Sequence, residues 1–274
     1  MKSRPKLIAI VGGSGSGKSW LSLKLKEALK LPVTRLSLDD FYRDKSHLPP
    51  ALRESINFDH PKAIDWRLAE TVLKACRAGR WAKVPKYSFV THTRLRTFKI
   101  VKPKPIILVD GLWLLWRPQL RRMFDIRIFL HCPARLRLDR RLARDMANRG
   151  RDDTSVRRQF RETVAPMHQR FVAPQAKWAD VVLGQPPGPH EVRCLADIIA
   201  KRLDSGASAP LTKTISAYRT GTSPLHRPRP RNQRSRVPSP ALPTRGTARG
   251  VLSAPQYCLE KPEPSRFALP SRPR

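Results

Sequence analysis

Residues 9–20, AIVGGSGSGKSW, constrain the fold of this chain more than any other stretch. Four glycines and three serines follow directly on an apolar run. Glycine at this density costs backbone entropy and is kept where the chain must turn sharply or approach a ligand closely. Gly12, four residues, then Gly17, Lys18 and Ser19 satisfy G-x-x-x-x-G-K-[ST], and the pattern lies between a predicted strand and a predicted helix. In that setting successive backbone N–H groups of Gly12, Gly13, Ser14, Gly15, Ser16 and Gly17 turn around phosphate oxygens, with Trp20 closing the segment. The helix N-terminus adds partial positive charge. Lys18 is then expected on the β- and γ-phosphates, and the Ser19 hydroxyl on Mg²⁺. The alternative, a ligand-free glycine turn, is opposed by the strand-loop-helix context.

The remaining periodicity agrees with an open α/β sheet. Short apolar runs at 7–11, 33–38, 106–109, 126–130 and 180–183 read as buried strands. Helical patterns lie between them, at 18–29, 65–78, 133–148, roughly 154–171, and 189–203. This alternation predicts an α/β fold, a parallel sheet of about five strands covered on both faces with the P-loop after its first strand. Residues 83–101, KVPKYSFVTHTRLRTFKIV, break the alternation with two segments and no helix between them. They are expected to project as a β-hairpin.

Composition changes near Ser205. Residues 205–274 hold 13 Lys and Arg against 2 Glu, and 12 of the 27 prolines, so they cannot bury enough apolar surface to fold and are expected to form a disordered basic tail. Subtracting the tail's +11 from the chain's +34 leaves +23 on residues 1–204, the predicted folded domain. Such a balance suits polyanions. The four cysteines, Cys76, Cys132, Cys194 and Cys258, form no CxxC pair, which is expected of free thiols in a reducing cytoplasm. The apolar run near the N-terminus is too short for a signal peptide, and no stretch is long and apolar enough to span a membrane.

Several further stretches carry chemistry. LDDFYRD, 38–44, places Asp39 and Asp40 at the C-terminal edge of the second predicted strand, where ligands of open α/β sheets bind. One of these carboxylates can accept a substrate proton or help place Mg²⁺, or can serve as a turn or N-cap aspartate. IILVDG, 106–111, ends an apolar strand in Asp110, a Walker B pattern for Mg²⁺. In residues 135–153, Arg137, Arg141 and Arg144 share a helical face, with Arg140, Arg149 and Arg151 nearby. Guanidinium groups so arranged suit a lid that clamps phosphates, or an ordinary salt-bridged helix using Asp139, Asp145 and Asp152. NFDHP, 57–61, taken alone reads as a turn, while Tyr87, Phe89, His92 and Arg94 equip the hairpin to stack on a base and bond its edge.

Together these stretches resemble the uridine kinase family, within the group that includes phosphoribulokinase. GGSGSGKS, DDFYR, NFDHPKAID, YSFVTHTR, VDGL, RLARDMANRGRD and PMHQRFVAPQAKWADVVL occur in the family's order across 7–183. The resemblance implies transfer of the γ-phosphoryl group of ATP or GTP to the 5′-hydroxyl of uridine or cytidine, with Mg²⁺. It makes Asp39 the catalytic base and Asp59 the acceptor of the ribose hydroxyls. Tyr87 and His92 match residues that meet the pyrimidine, and Arg141, Arg151 and Gln159 match nucleoside and phosphate contacts. Arg144 and Arg149 complete the triphosphate clamp, and a homotetramer is implied as the assembly. Asp110 stands where the family usually has glutamate, Asp40 where it often has serine, and Ser88 where it usually has aspartate. Two other readings fit the sequence: a P-loop kinase for another small hydroxyl acceptor, and a nucleic-acid-binding NTPase, with nucleic acid otherwise expected only on the basic tail.

Overall fold

A computed structural model describes residues 4–184 and 187–204. The expected tail, 205–274, lies outside the described residues. Five strands, β1 (Lys6–Gly12), β2 (Val33–Ser37), β5 (Ile106–Gly111), β6 (Ile126–Leu130) and β7 (Val181–Leu183), form one sheet in the order β2-β5-β1-β6-β7. All its pairings are parallel. Parallel neighbours need crossovers, and these are supplied by α1 (Lys18–Ala28), α3 (Trp66–Arg77), α5 (Ala134–Arg149) and the segments around them. The smaller helices are α2 (Pro50–Glu54), α4 (Pro118–Arg121), α6 (Asp153–Gln159) and α7 (Ala165–Met167), and α8 (Pro189–Asp204) ends the described fold.

Alternation along β1 sends side chains into two cores. Leu7, Ala9 and Val11 join Ile107, Val109 and Trp113 with Ala69, Val72 and Leu73 of α3. Ile8 and Ile10 join Ile106, Leu108, Ile126 and Ile128 with Leu21 and Leu25 of α1 and Leu195 and Ile199 of α8. Every residue of β5 is buried, as expected of a central strand covered on both sides. The chain leaves β1 in one direction toward β2 and β5 and in the other toward β6 and β7. The crevice at the C-terminal end of β1 is therefore the switch point where such sheets bind ligands.

The sequence expectations differ from the fold in two places, and the expected hairpin forms with a register shift in it. The second strand stops at Ser37, and Leu38–Phe41 wind into a 3₁₀ turn, because the Ser37 side chain accepts from the Asp39 N–H and caps that turn. The hairpin forms from β3 (Ala82–Ser88) and β4 (Thr93–Val101), paired antiparallel with a register shift between Pro85 and Tyr87. The helix expected over roughly 154–171 is α6 followed by two π-helical turns, Phe160–Val164 and His168–Val172, on either side of α7.

Candidate active site

The loop after β1 has the conformation its glycines allow. Gly15 and Gly17 have φ of 79° and 88°, a region costly for residues with a Cβ, and Gly17 caps α1 in that conformation. The Gly13 carbonyl accepts from the Ser16 N–H at 3.1 Å and from Lys18 Nζ at 2.9 Å. Burial lowers the Lys18 pKa, against the opposing charges of Asp39 and Asp110. Ser16 Oγ is buried without a hydrogen-bond partner. Trp20, expected to close the phosphate segment, is 45% exposed on α1 and does not line the cavity described below.

Ser19 and Asp110, 91 residues apart in sequence, meet at 3.4 Å (Oγ to Oδ1). Ser37 Oγ also donates to Asp110 Oδ1, at 3.2 Å. Burial and then the Asp39 charge push the Asp110 carboxyl above its ordinary range. Among the described residues no group of three His, Cys, Asp or Glu side chains is placed to hold a metal alone. One carboxylate and one hydroxyl instead fit Mg²⁺, which keeps waters and takes its remaining ligands from substrate phosphates.

Ten of the residues expected at the site line one cavity of about 450 Å³: Ser14, Asp39, Asp59, Tyr87, His92, Arg141, Arg144, Arg149, Arg151 and Gln159. At one end Arg141 ties the donor loop to the rest, donating to Ser14 Oγ at 2.9 Å and to Gln159 Oε1 at 2.7 Å. Arg151 donates to the same Gln159 oxygen. Arg149 stacks over Phe89 at 4.3 Å, joining α5 to the hairpin. Asp39 Oδ1 is buried without a hydrogen-bond partner and is an open proton acceptor within the cavity wall. Asp40 beside it is pushed up to about 6 by burial and by the Asp39 charge.

The far end is an aromatic box. Tyr42 lies 5.1 Å from Tyr87, 5.9 Å from Phe58 and 5.9 Å from Phe89, while His92 stacks on Phe58 at 4.5 Å with an interplanar angle of 9°. These rings pack on one another and together form an aromatic wall of the cavity. Below the box Asp59 is raised above its ordinary pKa by burial, with the Arg141 charge and the Thr163 hydroxyl opposing. A larger groove of about 560 Å³, lined by Arg43, His60, Pro61, Lys62, Trp66, Trp116, Arg117 and Phe171, has no carboxylate and no residue of the glycine loop. It holds His60 but none of Lys18, Asp39 or Asp110, so it lies apart from the phosphate loop and the strand-end carboxylates.

The shared arginine face divides. Arg141 and Arg144 line the cavity, whereas Arg137 is 3% exposed and turns under the donor loop, donating through Nε to the Cys132 carbonyl at 3.2 Å. The salt-bridged reading of this helix holds at one residue. Asp145, with a fully buried side chain, lies 2.8 Å from Arg144, 3.4 Å from Arg149 and 3.6 Å from Arg141. Burial raises its pKa, but the Arg144 hydrogen bond and the three guanidinium charges outweigh that and leave it below its ordinary value. Sequence reasoning missed Asp145 as an organiser of the clamp, and missed Tyr42, Phe58 and Thr163. Tyr42 and Phe58 lie inside DDFYR and NFDHP, close to Asp39, Asp40 and Asp59.

The model of the Phosphoribulokinase / Uridine kinase family matches residues 7–189. A protein named uridine kinase from Chloroflexus aurantiacus is 36% identical over 210 residues, covering 76% of this chain and 99% of that protein. Another of the same name from Clostridium tetani is 39% identical over 202 residues, covering 73% and 94%. Among solved structures, phosphoribulokinase from Rhodobacter spheroides superposes with a TM-score of 0.52 at 14% identity, over 66% of this chain and 70% of that one, a likeness of fold. A glycine loop at the switch point, a strand-end carboxylate beside its serine and this extent of matching sequence place the chain in the Phosphoribulokinase / Uridine kinase family.

Proposed function

We propose that the chain transfers the γ-phosphoryl group of ATP to the 5′-hydroxyl of uridine, and of cytidine, yielding the nucleoside monophosphate. The observation that carries this reading is the single cavity that joins the donor-side arginines and Ser14 to Asp39, Asp59 and an aromatic box. Backbone amides of 12–17 and Lys18 hold the triphosphate, and Arg144 and Arg149 neutralise charge on the transferred group. Mg²⁺, held through Ser19 and Asp110, would supply further charge neutralisation to the phosphates. Asp39 accepts the proton of the attacking hydroxyl, a role supported by its buried oxygen having no hydrogen-bond partner. Asp59 accepts from the ribose 2′- and 3′-hydroxyls; a 2′-deoxy sugar leaves this buried carboxylate short of a donor, which selects ribonucleosides. The ring faces of Tyr87 and His92, with Tyr42 and Phe58, enclose the pyrimidine.

Steady-state phosphorylation with ATP and Mg²⁺ against uridine, cytidine, deoxyuridine, nicotinamide riboside and ribulose 5-phosphate tests this. Turnover of uridine or cytidine with deoxyuridine rejected is expected. Turnover of another acceptor alone would overturn the nucleoside assignment and retain a P-loop kinase.

A further inference from the structure

Residues 159–172 touch both halves of the site. The tripeptide Val-Ala-Pro occurs twice here, at 164–166 and 172–174. Each proline lacks an N–H and its ring presses on the carbonyl four residues back, so the regular helical ladder cannot pass through it. The alanine before each proline bonds five residues back instead, Ala165 N–H to the Phe160 carbonyl and Ala173 N–H to the His168 carbonyl. Two widened turns result, a feature concentrated at functional sites.

In a regular α-helix a step of five residues overshoots a face by about 140°. The widened turns wind less per residue, and three side chains at steps of four and five all meet the site. Gln159 Oε1 accepts from Arg141. Thr163 Oγ1 lies 3.0 Å from the Gln159 carbonyl and 3.4 Å from Asp59 Oδ2. His168 lies against the donor loop: a Cβ built on Gly13 would fall 2.8 Å from His168 Nδ1 and 2.9 Å from Arg137 Cδ. Gly13 is thus clasped between these two side chains, and its carbonyl is the one that holds Lys18.

We infer that Thr163 and His168 are positioning residues that set the acceptor and donor halves of the site in register. Thr163 steadies the Asp59 carboxylate, and His168 backs the Gly13 peptide of the phosphate loop. Neither touches a reactant; each acts through a residue that does. Burial and the charges of Arg137, Lys18 and His131 lower the His168 pKa to about 4, so at neutral pH the ring is an uncharged wall beside two cations. The acceptor half of this inference rests on the function proposed above.

Calorimetric binding of uridine and of ATP to the full chain, with KM and kcat for both, tests it. Thr163→Val keeps the shape and removes the hydroxyl; it is expected to weaken uridine about fivefold and leave ATP unchanged. Thr163→Ser, which keeps the hydroxyl, restores uridine binding. His168→Ala opens space beside Gly13 and is expected to weaken ATP about tenfold with uridine unchanged. His168→Phe restores the ring and the affinity. Equal weakening of both ligands by either variant, no weakening, or failure of the conservative variants to restore binding would overturn the inference. If the unaltered chain binds ATP but not uridine, the acceptor assignment of the proposed function fails, and the inference is then decided by the ATP arm alone.

Discussion

His168→Phe should flatten the fall of stability on acidification. The imidazole moves from an ordinary pKa of 6.5 to about 4 on folding, first through burial and then through Arg137, Lys18 and His131. A base with its folded pKa lowered favours the neutral ring. Its contribution is complete above pH 6.5 and is lost as pH falls from 6.5 toward 4. Between pH 8 and pH 5 the loss is RT ln[(1+10^(6.5−5))/(1+10^(4−5))], about 2 kcal/mol from these two values. His168 is half-buried, and screening at its solvent edge reduces the figure to about 1 to 2 kcal/mol. Asp40 titrates in the same window with the opposite sign, because a carboxyl raised to about 6 contributes below its unfolded pKa and loses that contribution as pH rises through 6. Asp40 is present in both proteins, so it cancels in their difference. Urea unfolding of both proteins at pH 8, 6.5 and 5 measures that difference. Parallel pH dependences would refute the reasoning, since they would mean that His168 is charged equally in the folded and unfolded states.

Three further substitutions follow from the same geometry. Asp39→Asn should lower kcat by at least about a hundredfold while ATP affinity stays nearly unchanged, because the lost group acts on the acceptor; stopped assays with labelled ATP and a binding isotherm decide it. Asp59→Ala should raise the uridine KM about tenfold and abolish discrimination against deoxyuridine, read from the ratio of kcat/KM for the two nucleosides. Asp145→Ala leaves Arg141, Arg144 and Arg149 without their shared counter-charge, and should cost about 3 kcal/mol in unfolding free energy together with a fall in kcat; unchanged thermal melting would show that the three arginines do not depend on it.

Much of this protein is written in local spacing. The motif at 12–19, the apolar runs that become β1, β2, β5, β6 and β7, and the strand-end Asp110 follow from period and position, because a buried parallel strand and a phosphate loop each impose their residues over a few consecutive positions. The double Val-Ala-Pro was equally visible, and reading each proline as a missing rung would have located the widened turns. Which side chains meet was decided only by the fold. Asp59 and Thr163 are 104 residues apart, and Ser19 and Asp110 are 91 apart. Arg137, Arg141 and Arg144 have the same spacing signal, yet the packing of α5 on the donor loop turns the first under that loop and leaves the other two lining the cavity. Periodicity assigns a residue to a face; what that face packs against depends on strand order and helix crossing, which bring distant segments together and have no counterpart in any local pattern.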